Sequence, residues 1–157
     1  MKTRRLLTPL VLGLGLVLVV MGLLAGGPVL FVSAASLTVS NTNDSGDGSL
    51  RQAIRDAVSG DTIDFDLASY PQTITLNSQL EITKSLTISG PGAANLFVSG
   101  GGSTRVFSIT GGVGVTITGL TVRDGYAQDG GGIWSAGDVR VDGVTVISNS
   151  ASRYGGG

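Results

Sequence analysis

The 157-residue chain has no cysteine and no histidine, and only 13% of its positions are charged. Without cysteine there is no disulfide framework, no thiolate metal site and no Cys nucleophile. The missing histidine removes the usual general base and the commonest zinc ligand. Proline is scarce and no G-X-Y period runs through the 26 glycines, so a collagen-like chain is excluded. Simple disorder is excluded as well, because Ile, Leu, Val and Thr alternate through the glycine-rich part. No basic patch is present, and nucleic acid is not expected as a partner.

The N-terminus has a different character. Lys2, Arg4 and Arg5 precede 27 uncharged residues, 6–32, and the segment ends V-S-A-A-S. A basic start, an apolar run and small residues before a cut form the layout of a secretory signal, with cleavage after Ala34 or Ala35. The run is long enough to span a bilayer if uncut, so membrane contact is expected only through this segment when it is retained. Gly26, Gly27 and Pro28 break a helix before the cut and favour processing. Removing the three N-terminal cations leaves seven basic and eleven acidic residues, a net −4. The expected division is residues 1–35 as signal peptide or anchor, 36–60 as a strand and capping helix, and 61–157 as a repeat.

Asn43, Ser45 and Asp47 alternate before Gly48 like the start of a calcium loop, but Ile54 stands where the bidentate Glu is required. The stretch is read instead as a polar turn leading into a helix. Ser49 and Gln52 form an S-x-x-Q capping box. Leu50, Ala53, Ile54, Ala57 and Val58 fall on one apolar stripe of a helix predicted over Ser49–Ser59, with Arg51, Arg55 and Asp56 opposite. Gly60 is expected to take the left-handed terminal position. One greasy face needs a surface to cover, and the first coil of a solenoid supplies one.

From Thr62 onward short strands repeat. V-T-I-T-G-L-T-V at 115–122 returns as V-R-V-D-G-V-T-V at 139–146, a shift of 24 residues. Triple glycines follow at 130–132 and 155–157, and Gly119 and Gly143 mark equivalent corners. The expected inward set is Ile74/Leu76, Leu80/Ile82, Leu86/Ile88, Val106, Ile109, Val115/Ile117, Leu120/Val122, Val139/Val141 and Val144/Val146. Strands this short persist only when each stacks about 4.8 Å above its equivalent in parallel. The fold class is therefore all-β, a parallel β-solenoid of about four coils from Asp61 with an N-terminal amphipathic capping helix.

The motifs carry a family resemblance. S-L-R-Q-A-I at 49–54 with G-D-T-I at 60–63 resembles the CSLREA-type module that opens secreted bacterial right-handed parallel β-helix proteins. Gly48 replaces its Cys and Gln52 its Glu. I-T-K-S-L-T-I-S-G-P-G at 82–92 is similar to their first coils. G-G-G-I at 130–133 and V-I-S-N at 146–149 resemble the GGA[ILV] and FxxN repeats of chlamydial polymorphic outer-membrane proteins, with Gly for Ala and Val for Phe. The resemblance implies a pectin-lyase-like right-handed β-helix in a large secreted or surface protein, acting as an adhesin or stalk. It also implies further coils beyond Gly157, where the second repeat stops unfinished.

Enzymes of that superfamily cleave polysaccharides, so catalysis must be weighed. A lyase needs clustered acids for Ca²⁺ and a basic side chain. Arg123, Asp124, Asp129, Asp138, Arg140 and Asp142 are outward candidates. In the 24-residue register Arg140 lies beside Thr116 and Asp142 beside Thr118, so no acids stack. Glu81 is the only Glu of the chain, and no Asp-Asp or Gly-His-Gly pattern accompanies it. The expectation is an exported, non-enzymatic, adhesin-like scaffold without cofactor that meets a surface polysaccharide or protein ligand. The alternative is the N-terminal part of a lyase or glycosidase, the one reading in which Ca²⁺ would be used. Trp134, Tyr126 and Tyr154 are the candidate carbohydrate contacts. The two tyrosines are expected at roughly equivalent places in successive coils, and Trp134 should point outward after inward Ile133.

Overall fold

The computed structural model describes residues 33–155, so the expected signal segment before Ser33 lies outside the described residues. Among the described residues no helix is long and apolar enough to cross a membrane. The chain winds into a parallel solenoid. Its first turn contains β1 (Ser36–Val39) and α1 (Leu50–Asp56). The second holds β2 (Thr62–Phe65), β3 (Gln72–Thr75) and β4 (Leu80–Ile82). The third holds β5 (Leu86–Ser89), β6 (Leu96–Ser99) and β7 (Phe107–Ile109). The fourth holds β8 (Gly114–Thr118), β9 (Thr121–Arg123), β10 (Tyr126–Asp129) and β11 (Ile133–Ser135). The fifth holds β12 (Asp138–Asp142), β13 (Thr145–Ile147) and β14 (Ser150–Tyr154).

Equivalent strands stack in register. The first sheet runs β1-β2-β5-β8-β12, the second β13-β9-β6-β3 and the third β11-β7-β4, while β10 and β14 form a two-stranded ledge. The 24-residue echo is the ladder itself, pairing Val115 with Val139, Ile117 with Val141 and Val122 with Val146. Because β1 pairs in parallel with β2, the segment before Asp61 is a turn of the stack rather than a separate cap, and the stack is five strands deep.

The inward columns form one core. Ile63, Ile88 and Ile117 stack in the first sheet, Ile74, Val98 and Val122 in the second, and Leu80 and Phe107 in the third, all fully or almost fully buried. Each such side chain contributes about 1.5–3 kcal/mol of hydrophobic stabilisation. The fifth turn departs from the expected inward set. Val139, Val144 and Val146 are only partly buried and Val141 is exposed, because among the described residues no sixth strand lies over them.

In the fourth and fifth turns the corner between the first two sheets is two residues long and sharply bent. Gly119 and Gly143 both take φ near +58°, a left-handed conformation that a side chain would strain. A Cβ on Gly119 would also collide with the carbonyl oxygen of Gly90 in the turn below.

The helix is shorter than the apolar stripe suggests. The Ser49 hydroxyl accepts the Gln52 N–H, but the reciprocal half of the capping box is absent. Ser49 donates its own N–H to the Gly46 carbonyl, and the Gln52 side chain turns to Arg55 and Asp56. Ala57 leaves helical geometry with ψ 148°, which swings Val58 into solvent. Gly60 does have positive φ, but it lies in the following turn and donates its N–H to Ser85, so it does not close the helix. Leu50, Ala53, Ile54 and Ala57 join the core, and α1 packs against β1, β2 and β4.

Candidate functional site

The outward column of the third sheet places Glu81, Ser108 and Trp134 in successive turns. Its two steps put Glu81 and Trp134 about 10 Å apart along the stack. Trp134 is 39% exposed, as its place after the inward Ile133 requires. Arg105 lies at the preceding corner with its guanidinium 5.5 Å from the centre of the indole ring. Three bonds fix that guanidinium: Nε donates to the Gly130 carbonyl at 3.0 Å, Nη2 to the Asp129 carbonyl at 2.7 Å and Nη1 to Gln79 Oε1 at 2.9 Å. Gln79 Nε2 donates in turn to Glu81 Oε1 at 3.1 Å. A polar chain thus runs from Glu81 through Gln79 and Arg105 to the face of Trp134, crossing three turns.

At the lower end of this strip a groove of about 450 Å³ separates α1 from β4, with Arg51, Arg55, Gln79, Glu81 and Lys84 among its walls. Two of its cations are already committed. Arg51 pairs with Asp44 at 2.6 Å and donates to the carbonyls of Ser78, Gln79 and Asp44. Lys84 donates to the carbonyls of Arg55 and Ala57, groups that the helix end leaves without intrahelical partners. The Asp44 carboxylate also accepts the Asn77 N–H, so the polar turn before the helix staples the first turn to the second.

The remaining candidates are distributed around the stack. Arg123 lies on the second sheet, its guanidinium 4.8 Å from the centre of the Phe97 ring, and reaches Thr73 Oγ1 two turns below at 3.2 Å. Asp124, at φ +52°, stands 3.4 Å from Arg123 Nε and accepts the Ser99 hydroxyl. Asp138, Arg140 and Asp142 project from β12 opposite Gly114, Thr116 and Thr118. No registered pair of the ladders joins two carboxylates, and among the described residues no group of three acids could hold one metal ion.

The tyrosines do not occupy equivalent places. In the ledge Tyr126 stands opposite Ser150, whereas Tyr154 stands opposite Asp129, with a bulge between. Their 28-residue separation exceeds the 24-residue repeat, and the bulge does not absorb the difference. Asp129 instead receives the guanidinium of Arg153 at 2.5 Å. That bond, aided by the charges of Arg153 and Arg105, holds the carboxyl below the usual carboxylate range. Arg153 is raised by the same partner and also lies over the Tyr154 ring.

Trp134, Arg105, Gln79, Glu81 and Ser108 are thus the residues the fold brings together. Sequence reasoning identified Trp134 and passed over Arg105 and Gln79. Both sit at the same corner of the repeat as Asp129 and Gly130, spaced 24–26 residues apart, so the register could have found them. A half-exposed indole backed by a guanidinium, beside an amide and a carboxylate, with the Ser108 hydroxyl buried between them, can stack on a flat apolar ring face and hydrogen-bond the groups at its rim. No protein-family model, no curated protein and no solved structure matches this chain.

Proposed function

We propose that this chain is an exported, non-enzymatic β-helix scaffold that works at the cell surface in the manner of an adhesin. On this reading it is a right-handed helix of the pectin-lyase-like type, opened by a CSLREA-type module whose α1 shields the first turns. Right-handed winding is what parallel β-crossover-β connections adopt in nearly all cases. The observation that carries the proposal is where the polar side chains are used. Arg51, Lys84, Arg105 and Asn149 each bind backbone groups of a neighbouring turn, and they do not converge around a reacting centre. Such bonds fix a rod and leave an outer face for contact.

The contact we assign is Trp134 with its Arg105 support, and the ligand a surface polysaccharide. Immobilised glycans should retain the exported protein, and Trp134→Ala should reduce retention about fivefold or more, taking the stacking contact to be of the same order as the ~1–3 kcal/mol of a base on an aromatic side chain. Unchanged retention would remove Trp134 from the site. One observation favours the enzymatic alternative, namely that the Glu81 carboxylate and the Arg105 guanidinium share Gln79 on one exposed face. Uronate absorbance from pectin with Ca²⁺ distinguishes the two readings. It stays flat for a scaffold, and a clear rise would replace the scaffold with a lyase.

A further inference from the structure

Asp61 begins the strand-bearing part of the second turn and is only 3% exposed. Its Oδ1 accepts the Ala35 N–H at 2.8 Å and its Oδ2 accepts the Val58 N–H at 2.8 Å. Those two bonds hold its carboxyl below the usual range against the opposing effect of burial, with a smaller contribution from the charge of Lys84. Yet among the described residues Asp61 belongs to no ion pair. Lys84 is turned to the carbonyls of Arg55 and Ala57, and the neighbouring Asp64 accepts the Ser36 hydroxyl. A carboxylate withdrawn from water without a counter-ion is costly to bury. The group nearest to supplying one is the nitrogen of Ala35, which is an amide only while Ala34 remains attached.

We propose that export ends with a cut between Ala34 and Ala35, and that the α-ammonium created at Ala35 becomes the counter-ion of Asp61. The inference rests on the export reading above and makes its processing site specific. Water is the co-reactant and a membrane-bound signal peptidase the catalyst. The Ala34–Ala35 C–N bond breaks, a C–O bond forms at Ala34 to give a carboxylate, and the released amine of Ala35 takes up a proton. Small residues precede both candidate cuts, so sequence alone permits either. The geometry separates them. A cut after Ala35 would delete the donor to Asp61 and also the Ala35 carbonyl, which accepts the Thr62 N–H at 2.9 Å and starts the ladder between β1 and β2. A cut after Ala34 keeps both bonds and turns the first into a charge-assisted one, the stronger kind.

The test uses the full chain expressed in a secreting bacterium, with N-terminal sequencing and intact mass of the product. A mature chain beginning at Ala35 is expected. A start at Ser36 or any other residue overturns the proposal, as does an uncut chain. An uncut chain that is nevertheless accessible to external protease would leave the export reading standing, whereas one confined to the cytoplasm would remove that reading too. The ion pair has its own readout in the rate at which an acylating reagent labels the mature α-amine. An α-amino group ordinarily titrates near 7.7–8.0. Paired with Asp61, it should be half-reactive at a distinctly higher pH, and an ordinary midpoint in the wild-type product would overturn the pairing. Asp61→Asn should then speed labelling at neutral pH about tenfold, the change that a one-unit fall in pKa produces. Equal rates would also overturn it.

Discussion

Ile117 in the fourth turn and Val141 in the fifth occupy one column of the first sheet, directly paired, and they are 0% and 50% exposed. Around them the two turns share the same alternation, the same corner glycine at φ +58° and the same 24-residue register. What differs is the layer above. Ile117 lies between Ile88 and Val141, whereas Val141 has a strand on one side only among the described residues. Alternation therefore decides which way a side chain points, and the next turn decides whether it is buried. At the opposite end the apolar stripe of α1 lies against β4, and Leu80 and Ile82 beneath it are buried although β4 ends its sheet.

The sharpest way to break this comparison is a matched pair of truncations. Ile117→Ala should lower the unfolding free energy by about 2–5 kcal/mol, the range for a cavity in a closed core. Val141→Ala should cost about 1 kcal/mol or less, since it empties a site already half open. Urea midpoints at constant slope read both values, and equal losses would mean that the fifth turn is as closed as the fourth. A second pair uses the corner. Both Gly119→Ala and Gly143→Ala force a side chain into a left-handed conformation at about 1–2 kcal/mol. Only at Gly119 does the new Cβ meet a backbone carbonyl, so its melting temperature should fall further.

The helix end gives a smaller effect. Ser49→Ala removes the oxygen that accepts the Gln52 N–H and should cost about 1 kcal/mol in the same urea experiment. The smallest effect belongs to the exposed ledge. Asp129 has a depressed folded pKa, so its stabilising contribution is complete above the unfolded value of about 3.9 and is lost as pH falls through the folded one. Stability measured from about pH 5 downward should include a component that Asp129→Asn abolishes. An identical acid slope in the variant would show that the pair with Arg153 does not stabilise the fold.

The core was legible wherever strands alternate, because inward residues recur at a spacing of two. All the expected inward positions from Ile74 to Val122 are buried. Phe107, Leu96 and Val98 escaped that reading, since Leu96–Ser99 and Phe107–Ile109 follow glycine-rich corners of uneven length that blur the period. The exposure of Val141 was illegible for another reason, as no residue records what stacks upon it. Val58 was misplaced because the helix ends at Asp56, a break set by Ala57 and the Asp61 acceptor of the Val58 N–H rather than by hydrophobic pattern. Of the candidate contact, Trp134 could be read from the position after Ile133. Its support was legible only through the 24–26-residue register, because Arg105 meets the indole, and Gln79 meets Arg105, across turns.

Amide hydrogen exchange resolved by turn tests the layered account most directly. Protection should be strong through β5, β6, β8 and β9, which have a strand on each side, and should fall sharply at β12 and β13, where Val141 and Ile147 are exposed. Uniform protection across the fourth and fifth turns would contradict it.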